Sequence, residues 1–127
     1  YRAAMIQEAL PVKDEWVKVG MYTYEDGIKA MQAFGQQPEV TAIIGASDLA
    51  AIGVLNQAMQ YDIQVPKQLA IVSIDGTYLA RIVRPQLTTV TQAFYEMGTL
   101  GTQMLLDQTQ QTISQFTPIK IETRQST

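Results

Sequence analysis

Apolar residues recur at helical spacing in four stretches of the chain and bunch into short runs in five others. Tyr24, Ile28, Met31 and Phe34 follow a period near 3.6 and predict a helix. Thr23 stands before them as an N-cap, Asp26 three residues on makes a weak capping-box variant, and Gly35 is the expected stop. Leu49, Ile52, Leu55 and Met59 form a second stripe, capped by Ser47. Met97, Leu100, Met104 and Leu105 form a third, predicting a helix over 96–107. Residues 2–10 read as helix interior without a cap, closed by Pro11-Val12.

The short runs predict strands. Trp16, Val17 and Val19 are β-prone and end at Gly20. Thr41-Ala42-Ile43-Ile44 reads as a buried strand, and residues 69–74, nearly all apolar, as a central parallel strand covered on both faces. Residues 87–90 are β-prone after Pro85, and residues 119–123 alternate and predict a final strand. Val65-Pro66 marks a loop and Asp75-Gly76 a turn. The alternation of strands and helices is that of an α/β fold with a parallel sheet and right-handed crossovers.

Composition narrows the function classes. With 127 residues the chain has the size of one domain, and 46% hydrophobic against 17% charged residues is a globular balance. A net charge of −3 argues against a basic nucleic-acid surface on this piece. The chain contains no cysteine and no histidine, which removes disulfides, thiolate nucleophiles, Ser-His pairs and the usual zinc ligands. No metal and no cofactor is expected. No apolar run reaches bilayer-spanning length and no signal peptide is visible, and the zero cysteine count fits a cytoplasmic protein, which is the expectation. A start at Tyr1, already inside a helical pattern, reads as a fragment of a longer chain.

In an open parallel sheet, ligands bind beyond the carboxyl ends of the strands. Three predicted strands end with usable chemistry: at Gly20-Met21-Tyr22, at Gly45-Ala46-Ser47-Asp48 and at Ile74-Asp75. An aromatic ring, a hydroxyl at a helix N-terminus and two carboxylates suit a polyhydroxylated ligand, because ionised acceptors bind hydroxyls more strongly than neutral ones do. Each residue also has an ordinary structural reading. Tyr22 fits a packed aromatic, Ser47 a helix cap, Asp48 a first-turn acid favoured by the macrodipole, Asp75 a turn acid, and Arg2 a surface charge. Two carboxylates can in principle cleave a glycoside, but no spacing here fixes their separation. Gly45, Gly53 and Gly76 fit no nucleotide-binding fingerprint. An enzyme is not expected.

The segments Gly45-Ala46-Ser47-Asp48-Leu49-Ala50-Ala51-Ile52-Gly53, Val65-Pro66, Ile71-Val72-Ser73-Ile74-Asp75-Gly76 and Pro85-Gln86-Leu87-Thr88-Thr89-Val90 occur in order. Together they resemble the effector-binding core of the lactose-repressor (LacI/GalR) family of bacterial transcription regulators. The resemblance implies a fold like type I periplasmic binding proteins, two α/β lobes with an effector between them. Residues 1–127 then form an incomplete effector-binding domain, mostly its C-terminal lobe, without the DNA-binding helix-turn-helix. By position, Arg2 matches an arginine that grips effector hydroxyls or a carboxylate, although Met5 stands where the family's pattern has glycine. Tyr22 matches a stacking aromatic, Ser47 stands where many relatives have Asn, and Asp75 matches the effector-binding Asp. Gln92 and Phe94 match the crossover to the other lobe, where the aromatic touches effector. The helix within 95–112 packs on the N-terminal lobe in the family, so here its stripe is expected to pack on a second copy or on its own lobe, and self-association is expected.

The implied function is a sensor of a sugar or sugar phosphate in a homodimeric regulator, a repressor of a carbohydrate operon, which meets operator DNA through a domain outside this chain. The alternative on the same fold is an extracytoplasmic sugar-binding protein of a transport system.

Overall fold

The computed structural model describes residues 1–106 and 114–127. In chain order it contains α1 (Arg2–Gln7), a 3₁₀ turn (Asp14–Trp16), α2 (Tyr24–Phe34), β1 (Ala42–Ile44), α3 (Asp48–Gln60), β2 (Ala70–Asp75), α4 (Leu79–Ile82), β3 (Thr88–Gln92), α5 (Phe94–Leu106) and β4 (Ile119–Glu122). The four strands form one sheet in the order β1-β2-β3-β4. β1 and β3 both run parallel to β2, with Val72 beside Ile44 on one side and beside Thr88 on the other. β4 runs antiparallel to β3, with Ile121 opposite Val90. The sheet is thus parallel except at one edge.

Local chemistry explains the borders of α2. Thr23 Oγ1 accepts from the Asp26 N–H at 3.2 Å, and the Asp26 carboxylate accepts from the Thr23 N–H at 3.1 Å, a complete capping box. Gly35 ends the helix at φ +79°. These bonds, the Thr23 side chain first, hold the Asp26 carboxyl below its ordinary value. A carboxyl lowered by folding contributes stability that is present above its unfolded value and is lost as pH falls through its lower folded value. The first turn of α2 is therefore expected to loosen at acid pH before the core opens. Amide exchange at Asp26 followed downward through the carboxylate range checks this, and Asp26→Asn is expected to loosen the same turn at neutral pH.

The core lies between α3 and one face of the sheet. Leu55, Leu69, Ile71 and Leu87 are fully buried there, and Met31 of α2 packs into the same cluster. α2 lies against α3 at very short range. A Cβ on Gly27 would stand 2.0 Å from the Ala50 carbonyl oxygen, and one on Gly53 would stand 2.1 Å from that of Tyr24. Only glycine at both positions lets the helices meet this closely.

Several expectations are corrected. Residues 17–20 form no strand, and the 3₁₀ turn stands at Trp16. β-propensity expresses packing on a pleated surface, and this segment lies beside α2 instead, with Lys18 Nζ 5.2 Å from the centre of the Phe34 ring. β2 is not covered on both faces. Ile71 and Ser73 are buried toward α3, whereas Val72 and Ile74 on the other face are only half-buried. Ile44 and Ile121, which share that face through the register, are exposed, so β1 is not a buried strand. α1 is shorter than its pattern predicts, and α4 carries too few residues to show a period. α5 has no buried residue, so its stripe does not pack on its own lobe. The part of the expected helix beyond Leu106 lies outside the described residues. No described helix is long and apolar enough to cross a membrane.

Candidate functional site

Because β1, β2 and β3 are parallel, their carboxyl ends share one edge. Beyond β1 the chain runs through Gly45, whose N–H donates to the Val72 carbonyl at 2.8 Å, into Ser47. Ser47 Oγ accepts from the Ala50 N–H at 3.1 Å, capping α3, and donates to the Tyr22 carbonyl at 2.6 Å. One hydroxyl therefore closes the helix and ties Tyr22 to the edge, although no strand precedes Tyr22. The tyrosine is 62% exposed, so its ring has a free face.

β2 ends at Asp75, whose φ is +122°, followed by Gly76 at φ +76°. Asp75 Oδ1 accepts from Gln92 Nε2 at 3.0 Å, and Asp75 Oδ2 has no partner among the described residues. Gln92 is the last residue of β3, and Phe94, half-exposed, opens α5 two residues on. The edge thus joins two hydrogen-bonded pairs, Tyr22 with Ser47 and Asp75 with Gln92.

Two expected site residues have their polar groups engaged by other partners. Asp48 is 1% exposed and turns inward. Its Oδ1 accepts from Ser73 Oγ at 2.5 Å and Thr89 Oγ1 at 2.9 Å, and its Oδ2 accepts from the Thr77 N–H at 2.6 Å and Thr77 Oγ1 at 2.7 Å. Four internal donors fill the carboxylate and leave nothing for a ligand. Arg2 sits on α1, where its guanidinium donates to Asp14 at 2.8 Å on the surface, its only hydrogen bond among the described residues. It is joined to neither pair.

Reading the sequence missed Ser73, Thr77, Thr89 and Thr91. Threonines at a strand end look like β-formers, and nothing local marks two of them as partners of an acid that is distant in sequence. Thr91 is the register partner of Asp75, and its Oγ1 is buried without a hydrogen-bond partner. Among the described residues no group of three or more His, Cys, Asp or Glu could hold a metal. Two shallow hollows, one against Pro38 and Ile63 and the other against Trp16 and Phe34, contain no residue of the edge.

The lobe thus gathers an aromatic, a hydroxyl, an acid and an amide at the carboxyl edge of its parallel strands, the place where open α/β sheets bind their ligands. The family model of the periplasmic binding protein-like domain matches residues 1–127. The chain belongs to that family, and its relatives are transcription regulators, as the lactose-repressor-like motifs imply. It is 37% identical to catabolite control protein A of Priestia megaterium over 100% of this chain and 40% of that protein. It is 36% identical to the HTH-type transcriptional repressor CytR of Escherichia coli over 87% of this chain and 33% of that one. The crystal structure of a transcription regulator from Lactobacillus plantarum superposes with a TM-score of 0.95 at 45% identity, over 100% of this chain and 51% of that one. The transcriptional regulator CelR in complex with cellobiose superposes at 0.94 with 26% identity, over 100% of this chain and 40% of that one. The chain therefore covers only part of such a regulator.

Proposed function

We propose that this chain is the effector-sensing part of a DNA-binding transcription regulator, a repressor of carbohydrate genes, and that a sugar or sugar phosphate binds at the carboxyl edge. The observation that carries the reading is the pairing of Tyr22 with Ser47 and of Asp75 with Gln92 on one edge of the sheet. The exposed Tyr22 ring offers a face for the apolar side of a pyranose, and Phe94 offers a second. Asp75 Oδ2 accepts from sugar hydroxyls, while Gln92 fixes the carboxylate through Oδ1. CelR, superposing over the whole chain, is a regulator whose structure holds cellobiose, which supports a carbohydrate effector.

The regulator reading is favoured over transport because CytR is named as a transcriptional repressor, and CelR and the Lactobacillus plantarum protein as transcription regulators. In this reading the protein acts as a cytoplasmic homodimer, without catalysis or cofactor, and reaches operator DNA through residues outside this chain. In the same reading residues 1–127 are an incomplete effector domain, mostly its C-terminal lobe, and the helix within 95–112 packs on an N-terminal lobe outside this chain. Effector binding changes operator affinity only if the two functional states bind the sugar unequally, and the coupling then runs both ways.

Calorimetric titration of the protein with cellobiose and with glucose tests the site. Binding of at least one sugar is expected, and Asp75→Asn is expected to weaken it roughly tenfold to a hundredfold, the loss of a charged acceptor. Sugar binding with an affinity that Asp75→Asn leaves unchanged contradicts the assignment.

A further inference from the structure

We propose that Asp48, which touches no ligand, is the positioning residue that holds Asp75 in its binding geometry. Asp75 and Gly76 occupy consecutive backbone conformations at φ +122° and +76°. An aspartate at such a φ is disfavoured and persists only where its surroundings over-determine it. Those surroundings lead to one carboxylate. Asp48 Oδ2 takes both the N–H and the hydroxyl of Thr77, two residues past Asp75. Asp48 Oδ1 takes the hydroxyl of Thr89, and Thr89 Oγ1 in turn accepts from the Gly76 N–H at 3.1 Å.

Both residues after Asp75 are thus tethered to Asp48, one directly and one through a single hydroxyl. Asp48 is rooted in the first turn of α3, next to the Ser47 that binds Tyr22. The same short segment therefore fixes the two halves of the site relative to each other. Packing adds a constraint from below, because a Cβ on Gly76 would lie 2.5 Å from Thr91 Oγ1. Once the tethers are cut, the turn relaxes toward ordinary backbone angles, and the Asp75 carboxylate leaves Gln92. An amide at position 48 replaces the acid poorly. With its oxygen toward the Thr77 N–H, its NH2 faces the Ser73 and Thr89 hydroxyls, which must turn from donating to accepting, and the charge that strengthens all four bonds is lost.

The consequence for affinity rests on the sugar-binding reading above; the consequence for the turn does not. The test compares Asp48→Asn and the milder Thr77→Val, which removes only the hydroxyl bond, with Ile63→Val, a core change remote from the edge. Nuclear magnetic resonance reads the amide-to-α-proton coupling of Asp75, which is small at its present φ and large in extended backbone. It also reads amide exchange at Gly76 and Thr77, and calorimetry reads cellobiose and glucose affinity. Expected for Asp48→Asn are a relaxed Asp75 coupling, faster exchange at both amides and an affinity roughly tenfold or more weaker, as for a freed charged acceptor. Thr77→Val moves the same way by less, and decides the matter if Asp48→Asn does not fold. Ile63→Val lowers stability and leaves affinity alone. An unchanged Asp75 turn in the folded variants, or a relaxed turn with unchanged affinity, overturns the proposal. A relaxed turn in a protein whose wild type binds neither sugar overturns the sugar reading and leaves Asp48 as the holder of the turn.

Discussion

Gly53→Ala is expected to destabilise the protein by about 2 kcal/mol or more, the cost of overpacking a closed seam. Helix propensity alone predicts the opposite sign, since alanine is better than glycine in a helix interior by about 1 kcal/mol. Geometry decides. A Cβ on Gly53 would meet the Tyr24 carbonyl oxygen at 2.1 Å and the Ile28 nitrogen at 3.0 Å, both backbone atoms of α2. No side chain can turn aside, so α2 as a whole must retreat and open the contact through which Met31 reaches the core. The reciprocal site Gly27 faces Ala50 backbone in the same way and should respond alike. Gly98→Ala and Gly101→Ala on α5 meet nothing within 4 Å and should follow propensity, with a small gain. Urea denaturation of the four variants checks the contrast, and a Gly53→Ala midpoint at or above wild type refutes the close-packed seam.

Ser126→Ala is expected to cost on the order of 3 kcal/mol, because it strands two buried backbone groups. Ser126 is fully buried. Its Oγ donates to the Ile71 carbonyl at 2.6 Å and accepts from the Thr88 N–H at 2.8 Å. Its own carbonyl accepts from the Ile71 N–H at 2.8 Å, and its N–H donates to the Gln86 carbonyl at 3.0 Å. The end of the chain thus wedges between β2 and β3 where they begin, and one hydroxyl stands in for the missing ladder bonds. Chemical denaturation measures the loss, and faster amide exchange at Thr88 locates it. A neutral Ser126→Ala would mean that this wedge adds nothing to the sheet.

What the sequence made legible was whatever its own neighbours decide. The limits of α2 follow from Thr23, Asp26 and Gly35, all within or beside the helix. The cap at Ser47 and the strand ending at Asp75 were readable for the same reason. What long-range partners decide was not. The β-prone residues 16–20 have the composition of a strand, yet none of the strands among the described residues pairs with them. The direction of β4 depends on the path of the chain before Ile119, which alternation does not encode. Asp48 beside a cap looks the same in sequence whether it faces solvent or four hydroxyl and amide donors, and only the placement of Ser73, Thr77 and Thr89 turns it inward. Motif order, by contrast, carried the family, because several short segments at fixed distances specify a fold more sharply than any one of them.

The most direct measurement is a resonance-by-resonance titration of the protein with cellobiose and with glucose. If the carboxyl edge is the binding site, signals of Tyr22, Ser47, Asp75 and Gln92 shift together along one saturation curve, while Ile63, at the hollow beside Pro38, stays fixed. Saturable sugar binding that moves Ile63 and its neighbours and leaves those four residues in place would contradict the account.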